Sequence, residues 1–353
     1  MTPTPRLLRL VVPGESGAPT GGTLYDRRLA AALEALGVDV RVVPVDGDWP
    51  EGTPEDRRRL AEVLAEGAEP VLVDGLVGAG APDAVEAAVA AGAVVHLLQH
   101  LPLHLETGLA PERAAHLAAL EARTLAAVAG VVVTSRWAAE QLQGVGTPVV
   151  AEPGTDPAAP AHGSSPPFLL HLASVTPRKA QDVVVAALAQ VADLPWTAGL
   201  VGDDQRDPAY AATVRAAVTA AGLEDRVAVT GPLAGAALDA VRDAADLALL
   251  PSHVEPWGMA AAESLARGVP AVVGAGTGAV EVLGDGPGQR PGAVVTPGDA
   301  GSLAAALRTL LTDAGEDGSA LHEARAAARR RAVELPGWDH AARRVAEALG
   351  VSV

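Results

Sequence analysis

The chain lacks cysteine, has no unbroken long hydrophobic run, and carries a single lysine among its 26 basic residues. Without cysteine it has neither a disulfide nor a thiolate metal site, which is compatible with a reducing cytoplasm. The apolar run in residues 1–12 ends at Pro13-Gly14, so it is too short for a secretory signal or a membrane span. We therefore predict a cytoplasmic protein without a transmembrane helix.

Positive charge is scarce throughout the sequence, which has a formal net charge of -17 over 353 residues. Binding of nucleic acid needs a cationic surface that displaces counterions, so the charge argues against a nucleic-acid partner. The arginine runs at 57–59 and 329–331 fall on predicted helices, where such runs are usually solvated faces. They predict at most a peripheral contact with a membrane.

The one lysine, Lys179, lies in the segment Ser174-Val-Thr-Pro-Arg-Lys-Ala-Gln-Asp182. Every other basic side chain, histidine apart, is an arginine, so a merely solubilising lysine would be expected to be replaced. Its retention predicts a position that needs a compact ammonium group. Chance retention is the alternative interpretation.

Short β-branched runs alternate with alanine-rich helical periods, which is typical of a parallel α/β sheet. Residues 153–167 then collect proline, glycine, serine and alanine without periodicity, and we interpret them as an interdomain linker. The pattern predicts two doubly wound halves, with helices near 301–313, 318–334 and 338–350 closing the chain. The predicted strands are 7–12, 38–45, 71–74, 94–99 and 131–135 before the linker, and 168–173, 197–202, 227–230, 247–250, 271–273 and 293–295 after it.

The segment Glu255-Pro-Trp-Gly-Met-Ala-Ala-Ala-Glu263 combines two carboxylates with a predicted helix start. Proline suits the first helical position, so we place Pro256 there and Glu255 just before it, beside the free N–H groups of the helix. Glu263 is the long polar side chain of an otherwise small-residue helix. A hydroxyl-bearing ligand such as a sugar or a ribose fits this pair.

The Glu-x7-Glu pattern, with Gly268-Val-Pro270 after it, resembles the donor-site signature of retaining family-4 glycosyltransferases. The order of the other motifs is also similar to that family, with Gly21-Gly22 after the first strand and Pro177-Arg-Lys179 in the middle. The resemblance implies a GT-B fold of two Rossmann-like doubly wound domains that face a central cleft. The implied domains are an acceptor domain 1–155, a donor domain 166–335, and a helix 338–353 that packs back on the first domain.

The resemblance also implies the roles of individual residues. His100, Lys179 and Glu255 become the catalytic residues, with Lys179 and Arg178 on the donor diphosphate and Glu263 on the ribose. This chain departs from the family by having Ala173-Ser174 in place of Gly-Arg, and Ala180 in place of glycine. The implied donor-binding residues are Gly21, Gly22, Arg178, Gly202, Trp257, Gly258, Met259, Glu263 and Glu281.

Three histidines, His96, His100 and His104, follow one another at spacings of four. A zinc site would need them on one helix, which Pro102 and the preceding strand make unfavourable, so we predict no metal. The family carries a histidine at this strand end that contacts the donor sugar, and His100 matches it. His96 is expected in the core, and His104, Glu106 and Arg136 are acceptor-side candidates, although Ser135 before Arg136 equally fits a helix cap.

The predicted function is therefore retaining transfer of a sugar from a UDP- or GDP-linked donor, without a metal or another cofactor. The acceptor stays open between a small molecule, a glycan and a lipid-linked compound. Two alternatives remain. One is a phosphorylase or a trehalose-forming synthase of the same fold, and the other is a catalytically silent sugar-nucleotide-binding scaffold, for which the departures at Ala173-Ser174 and Ala180 argue.

Overall fold

The computed structural model describes residues 7–14, 20–142, 146–284, 290–312 and 319–353. The chain divides into two compact units. Unit 1 comprises Met1–Gly154 and Pro336–Val353, and unit 2 comprises Thr155–Leu335. The division falls next to the first predicted domain boundary at 155, and the glycine- and proline-rich segment that follows it belongs to unit 2.

Unit 1 is built on a six-stranded sheet in the order β2-β1-β3-β4-β5-β6, in which every neighbouring pair is parallel. The direction of winding reverses between β1 and β3. In such sheets ligands bind at the carboxyl ends of the strands beside the reversal. The strands are β1 (Leu7–Pro13), β2 (Asp39–Val45), β3 (Val71–Asp74), β4 (Val95–Gln99), β5 (Gly130–Val133) and β6 (Val149–Val150).

Helices cover both faces of this sheet, because alternate strand residues point to opposite sides. Leu8 and Leu10 of β1 pack with the first and last helices of the unit, while Val11 packs with the helices on the other side. The last helix of the chain thus belongs to the core of unit 1. The helices are α1 (Gly21–Ala35), α2 (Pro54–Ala65), α3 (Gly75–Gly78), α4 (Pro82–Ala90), α5 (Pro111–Ala127), α6 (Arg136–Gln141) and α14 (Trp338–Leu349).

Unit 2 has a second parallel sheet, in the order β12-β11-β10-β7-β8-β9, with its reversal between β7 and β10. Its strands are β7 (Phe168–Leu172), β8 (Thr197–Val201), β9 (Val227–Thr230), β10 (Ala245–Leu250), β11 (Ala271–Gly274) and β12 (Gly292–Val295). Its helices are α7 (Gln181–Ala189), α8 (Pro208–Ala220), α9 (Gly235–Asp243), α10 (Met259–Ala266), α11 (Ala279–Leu283), α12 (Ala300–Leu311) and α13 (Ala320–Ala332).

The segment between the last strand of unit 1 and β7 is ordered by one buried acid. The β7–β10 register shifts between Ala245 and Leu247, and the intervening Asp246 turns its carboxylate to the segment. There it accepts hydrogen bonds from the amides of Ser164 and Phe168, both at 2.9 Å, and pairs with Arg325 of α13. The bulge therefore fixes the entry into the second sheet.

The predicted doubly wound α/β architecture is confirmed, and all eleven predicted strands are present. The sequence missed the two-residue strand β6. The predicted helix ends at 313 and 318 lie outside the described residues. Across the part of the chain that the structure describes, no helix is both long and apolar enough to span a bilayer.

Candidate functional site

The reversal in the sheet of unit 2 brings two of the predicted residues together. Lys179 lies on a short 3-10 turn, Pro177–Lys179, in the connection that leaves β7, and Glu255 lies in the connection that leaves β10. Lys179 Nζ is 2.5 Å from Glu255 Oε2. The sheet topology alone therefore explains why a basic and an acidic group far apart in sequence meet at one edge.

The Lys179–Glu255 ion pair is largely buried, with 15% of the lysine side chain and 9% of the glutamate side chain exposed. Ser252 Oγ lies 3.4 Å from Glu255 Oε2, and Arg178 donates to the Val254 carbonyl at 3.3 Å. Burial opposes ionisation of Glu255. The charges of Lys179 and Arg178, with hydrogen bonds from Lys179 and Ser252, outweigh burial and hold the pKa of Glu255 below its usual value.

The backbone of the lysine-bearing turn is held from two sides. His171 of β7, fully buried, donates from Nε2 to the Lys179 carbonyl at 3.0 Å, and the His253 amide donates to the Arg178 carbonyl at 2.9 Å. Burial lowers the pKa of His171 to about 4, so its imidazole is neutral. Sequence reasoning missed His171, because a histidine inside a buried strand carries no motif that separates it from ordinary core.

The residue after the lysine has a strained backbone. Ala180 has a φ of 58° and is fully buried, and it is the one non-glycine residue with positive φ in the described ranges. Left-handed φ costs an L-residue about 1–2 kcal/mol, which is why the family's glycine suits this position. The departure from the family pattern at Ala180 is thus visible as strain directly beside Lys179.

The predicted helix start at Pro256 is wrong. Helix α10 begins at Met259, with Gly258 as its N-cap in the left-handed region at φ 94°. A Cβ at Gly258 would lie 3.0 Å from a methyl of Leu250 and 3.1 Å from the Cβ of Ala279, so both conformation and packing require glycine. Three residues therefore separate Glu255 from the helix.

Trp257 and Met259, predicted to bind donor, pack with the core on one face of the second sheet. Trp257 is 5% exposed, and its indole Nε1 is buried without a hydrogen-bond partner in the described ranges.

Glu263 of α10 has a structural partner that the sequence did not reveal. Its carboxylate forms an ion pair with Arg242 of α9. This long polar side chain of a small-residue helix therefore also links α10 to α9. Binding of a ribose by Glu263 stays a prediction.

Gly202 and Glu281 lie after two further strands of unit 2. Gly202 follows β8, and a Cβ there would lie 1.9 Å from the Ala173 carbonyl oxygen, so close approach of the neighbouring backbone requires glycine. Glu281 lies in α11 after β11, and its own carbonyl accepts from Arg331 at 3.3 Å. Neither contact identifies a ligand, and the donor roles of both residues stay predictions.

In unit 1, three ionisable side chains meet at the reversal of the sheet. His100 directly follows β4, Asp74 ends β3, and Asp26 lies in α1. His100 Nε2 is 3.0 Å from Asp26 Oδ1 and 3.1 Å from Asp74 Oδ2. The sequence found His100 but missed both aspartates, although Asp74 at a strand's carboxyl end carries the same topological signal.

These three groups, which we call the Asp26–Asp74–His100 triad, shift each other's protonation. Burial alone lowers the pKa of His100, but the two carboxylates outweigh burial and raise it to about 10. Burial and the charge of Asp74 raise the pKa of Asp26 to about 7, against the opposing effect of His100. The His100 imidazole is therefore charged at neutral pH and lies against the buried side chains of Asp26 and Asp74.

Gly21 and Gly22 are the first two residues of α1. Thr20 caps this helix by accepting from the Thr23 amide at 3.2 Å, while residues 15–19 lie outside the described residues. A Cβ at Gly22 would lie 3.1 Å from His100 Cδ2, whereas one at Gly21 would meet nothing within 4 Å. A Cβ at Gly22 would therefore press on the His100 ring.

The acceptor-side candidates occupy different local settings. His104 Nδ1 lies 3.2 Å from Glu121, a buried acid that also accepts from Gln99 at 2.7 Å and from the Leu103 amide at 3.0 Å. Glu121 thereby shapes the segment after β4, and burial raises its pKa. The sequence missed this acid because it lies on a helix 17 residues beyond His104.

The remaining candidates, Glu106 and Arg136, lie at the ends of two other elements. Glu106 ends the 3-10 turn Leu103–Leu105, and Arg136 is the exposed first residue of α6. Ser135 caps α6 by accepting from the Ala138 amide at 2.9 Å, as the alternative interpretation expected. His96 is buried in β4, so His96, His100 and His104 do not lie on one helix.

Comparison with known proteins places the chain in a family. The sequence model for the family described as glycosyl transferases group 1 matches residues 154–331, a little over half of the chain. A D-inositol 3-phosphate glycosyltransferase of Kineococcus radiotolerans is 34% identical over 191 residues, which is 47% of this chain and 44% of that protein. The chain thus spans less than half the length of this curated relative.

Solved structures resemble the whole chain in fold. A sucrose-phosphate synthase from Thermosynechococcus elongatus has a TM-score of 0.75 and 21% identity, over 97% of each chain. HepE of Anabaena in complex with UDP-glucose has a TM-score of 0.70 and 21% identity, over 97% of this chain and 99% of that one. These likenesses confirm the predicted GT-B fold, and with the family match over unit 2 they establish that the chain belongs to the group 1 glycosyl transferases.

Proposed function

We propose that this chain is a retaining, metal-independent glycosyltransferase that moves a sugar from a UDP- or GDP-linked donor to an acceptor hydroxyl. The Lys179–Glu255 ion pair at the sheet reversal of unit 2 carries the proposal. It joins the one lysine of the chain to the first carboxylate of the Glu-x7-Glu pattern at the place where this fold class binds ligands.

Charge explains how the pair accepts a donor. Without ligand, Glu255 neutralises Lys179, and Arg178 adds a second cation nearby. An incoming diphosphate brings more acceptors and more negative charge, so Lys179 exchanges the carboxylate for phosphate oxygens, and Arg178 adds a second cation near the same anion. Glu255, whose pKa is low, then remains an ionised acceptor for hydroxyls of the donor sugar.

The same cations serve the reaction. As the bond between the anomeric carbon and the phosphate oxygen breaks, negative charge develops on the departing diphosphate, and Lys179 stabilises it most at that moment. Because these side chains supply the charge, the proposal needs no metal. Glu255 is by then the acceptor for hydroxyls of the donor sugar, so we do not assign it the role of nucleophile. The acceptor oxygen attacks from the face that the phosphate leaves, and a phosphate oxygen takes its proton.

The relatives support the donor class and leave the acceptor open. HepE, a structural neighbour, was solved with UDP-glucose, and the curated relative of Kineococcus radiotolerans is named for D-inositol 3-phosphate. We propose a UDP- or GDP-sugar as co-substrate and a small-molecule, glycan or lipid-linked acceptor.

A binding screen tests the donor site. We would titrate UDP, GDP and their glucose and mannose derivatives by thermal shift and calorimetry against the native chain, Lys179→Ala and Glu263→Ala. Arg308→Ala is the matched control, because it removes one cation of unit 2 from an exposed ion pair with Asp193. Loss of an ionic hydrogen bond of about 1.5–3 kcal/mol predicts affinity roughly 10- to 150-fold weaker in Lys179→Ala and unchanged in the control.

Turnover then separates the alternatives. The proposal expects release of the nucleotide only when an acceptor is present, and a product whose anomeric configuration, read by NMR, equals that of the donor. Turnover that requires inorganic phosphate or free glucose would instead indicate a phosphorylase or a trehalose-forming synthase. Binding without any turnover would favour the silent scaffold, and a trapped covalent glycosyl-enzyme would overturn the proposed path.

A further inference from the structure

Two buried carboxylates enclose one edge of the His100 ring in unit 1, and the reaction proposed above assigns neither of them a role. Asp26 and Asp74 have side chains that are 5% and 4% exposed, and both lie within 3.1 Å of the same atom, His100 Nε2. We propose that Asp26 and Asp74 are positioning residues that keep His100 doubly protonated, with Nε2 engaged by the protein and Nδ1 presented to a ligand.

The geometry favours a proton on Nε2. An ionised carboxylate can only accept hydrogen bonds, so Nε2, which lies 3.0 Å and 3.1 Å from two carboxyl groups, is the donor to whichever of them is ionised. The negative charge of the acids then favours a second proton on the ring, which is the direction of the raised pKa of His100. Among the described residues, Tyr25 of α1 is a further titratable group against the ring. It stays neutral because burial raises its pKa, and its hydroxyl donates to the Ala151 carbonyl at 2.9 Å.

The surrounding residues also fix the orientation of the His100 ring. Tyr25 meets it edge-on, with centroids 5.1 Å apart and planes at 74°. Gly22 leaves room for its Cδ2 edge. Within the described ranges Nδ1 has no hydrogen-bond partner, although 18% of the side chain is exposed. Nδ1–H is therefore the donor that the imidazolium can offer to a ligand oxygen, and in sugar transfer this role rests on the proposed function.

A divalent cation is the competing occupant of the same cluster. One ligand atom each from Asp26, Asp74 and His100 lies within 4.8 Å of the others. A cation would need Nε2 without its proton, whereas the positioning role needs the proton there. The two interpretations therefore predict opposite protonation of one nitrogen, and that nitrogen can be observed directly.

The first arm of the test is NMR of the histidine ring nitrogens in the full chain, with His100→Gln to assign the signals. We expect both His100 nitrogens to carry protons at pH 7.5. Asp26→Asn and Asp74→Asn should each lower the His100 pKa by roughly 1–3 units, while the exposed Asp39→Asn leaves it unchanged. A neutral His100 at pH 7.5, no response to either substitution, or loss of the Nε2 proton on addition of stoichiometric Zn²⁺ would overturn the proposal.

The second arm is the pH profile of kcat/KM with the donor identified by the screen above. If the aspartates act through the charge of His100, Asp26→Asn moves the alkaline limb of the profile to lower pH by the same roughly 1–3 units and keeps its activity near pH 6, where the imidazole is still charged. A merely structural role predicts an equal defect at every pH, and that result would overturn the positioning role. Expected NMR results without any turnover would count against the proposed function and would leave the protonation of His100 established.

Discussion

The triad of unit 1 and the Lys179–Glu255 pair of unit 2 are built from similar groups in opposite proportion. In unit 1 two acids surround one base, and in unit 2 two cations, Lys179 and Arg178, surround one acid. The first arrangement raises the pKa of both its base and Asp26, and the second lowers the pKa of Glu255. Only the second arrangement has an excess of positive charge, so only the second attracts the negative charge of a diphosphate.

The two buried histidines extend this comparison. His100 lies against carboxylates, and its pKa is raised to about 10, whereas His171 lies against a carbonyl and near Lys179, and its pKa is lowered to about 4. A buried histidine is thus a charged group in unit 1 and a neutral hydrogen-bond donor in unit 2. Burial acts in the same direction on both, so the neighbouring charges decide the outcome.

The largest effect is expected where the acid of unit 2 is neutralised. Glu255→Gln should lower turnover by roughly 10²–10³-fold, because the sugar hydroxyls lose a charged acceptor. The same change should strengthen binding of UDP or GDP alone by on the order of tenfold, since Lys179 is released from its carboxylate. Calorimetry and steady-state rates check both directions. Weaker nucleotide binding in Glu255→Gln would contradict the view that the carboxylate competes with phosphate.

Stability against pH should separate the two histidines. Since the pKa of His171 in the folded chain lies below its unfolded value of 6.5, the unfolded chain binds the extra proton, and stability falls as pH drops from 6.5 to 4. The loss is on the order of 3 kcal/mol. His100 has the reverse sign, so its contribution is complete below pH 6.5 and is lost as pH rises toward 10.

Urea unfolding between pH 4.5 and 9 measures both effects. His171→Gln should flatten the acid side of the stability profile and His100→Gln the alkaline side. An acid-side loss that survives unchanged in His171→Gln would show that other groups cause it.

A smaller effect concerns the strain beside Lys179. Ala180→Gly should stabilise the chain by about 0.2–1.2 kcal/mol, because relief of about 1–2 kcal/mol of left-handed strain exceeds the roughly 0.8 kcal/mol lost with one buried methyl. Ala186→Gly, at an exposed site of α7, is the control and should destabilise by about 1 kcal/mol. Thermal or urea unfolding gives both values, and a destabilised Ala180→Gly would mean that the methyl's packing outweighs the strain.

The smallest effect tests the fit of the ring in unit 1. Gly21→Ala should stabilise α1 by about 0.5 kcal/mol, since it adds helix propensity into open space. Gly22→Ala should not stabilise α1, because its Cβ presses on His100. Of the two variants, only Gly22→Ala should shift the His100 NMR signals. Equal stability and unmoved signals in the two variants would show that the ring yields without cost.

The sequence predicted the strands well because each is a short β-branched run between turn residues, and β6 escaped because two residues make no pattern. It also found Lys179, Glu255 and His100, which belong to motifs or strand ends. The helix start at Pro256 was wrong because a favourable residue for a first turn does not create one. Gly258, with its left-handed φ, begins α10 instead.

By itself, the sequence determined the two parallel sheets, the excess negative charge and the single ammonium group, since these depend on local pattern and composition. Only the tertiary structure decided the partners of the ionisable groups. Asp26 and Asp74 meet His100, Lys179 meets Glu255, and Glu263 meets Arg242 across distances in sequence that no spacing encodes. Protonation depends on burial and on charges a few ångströms away, so it is fixed by folding rather than by residue type.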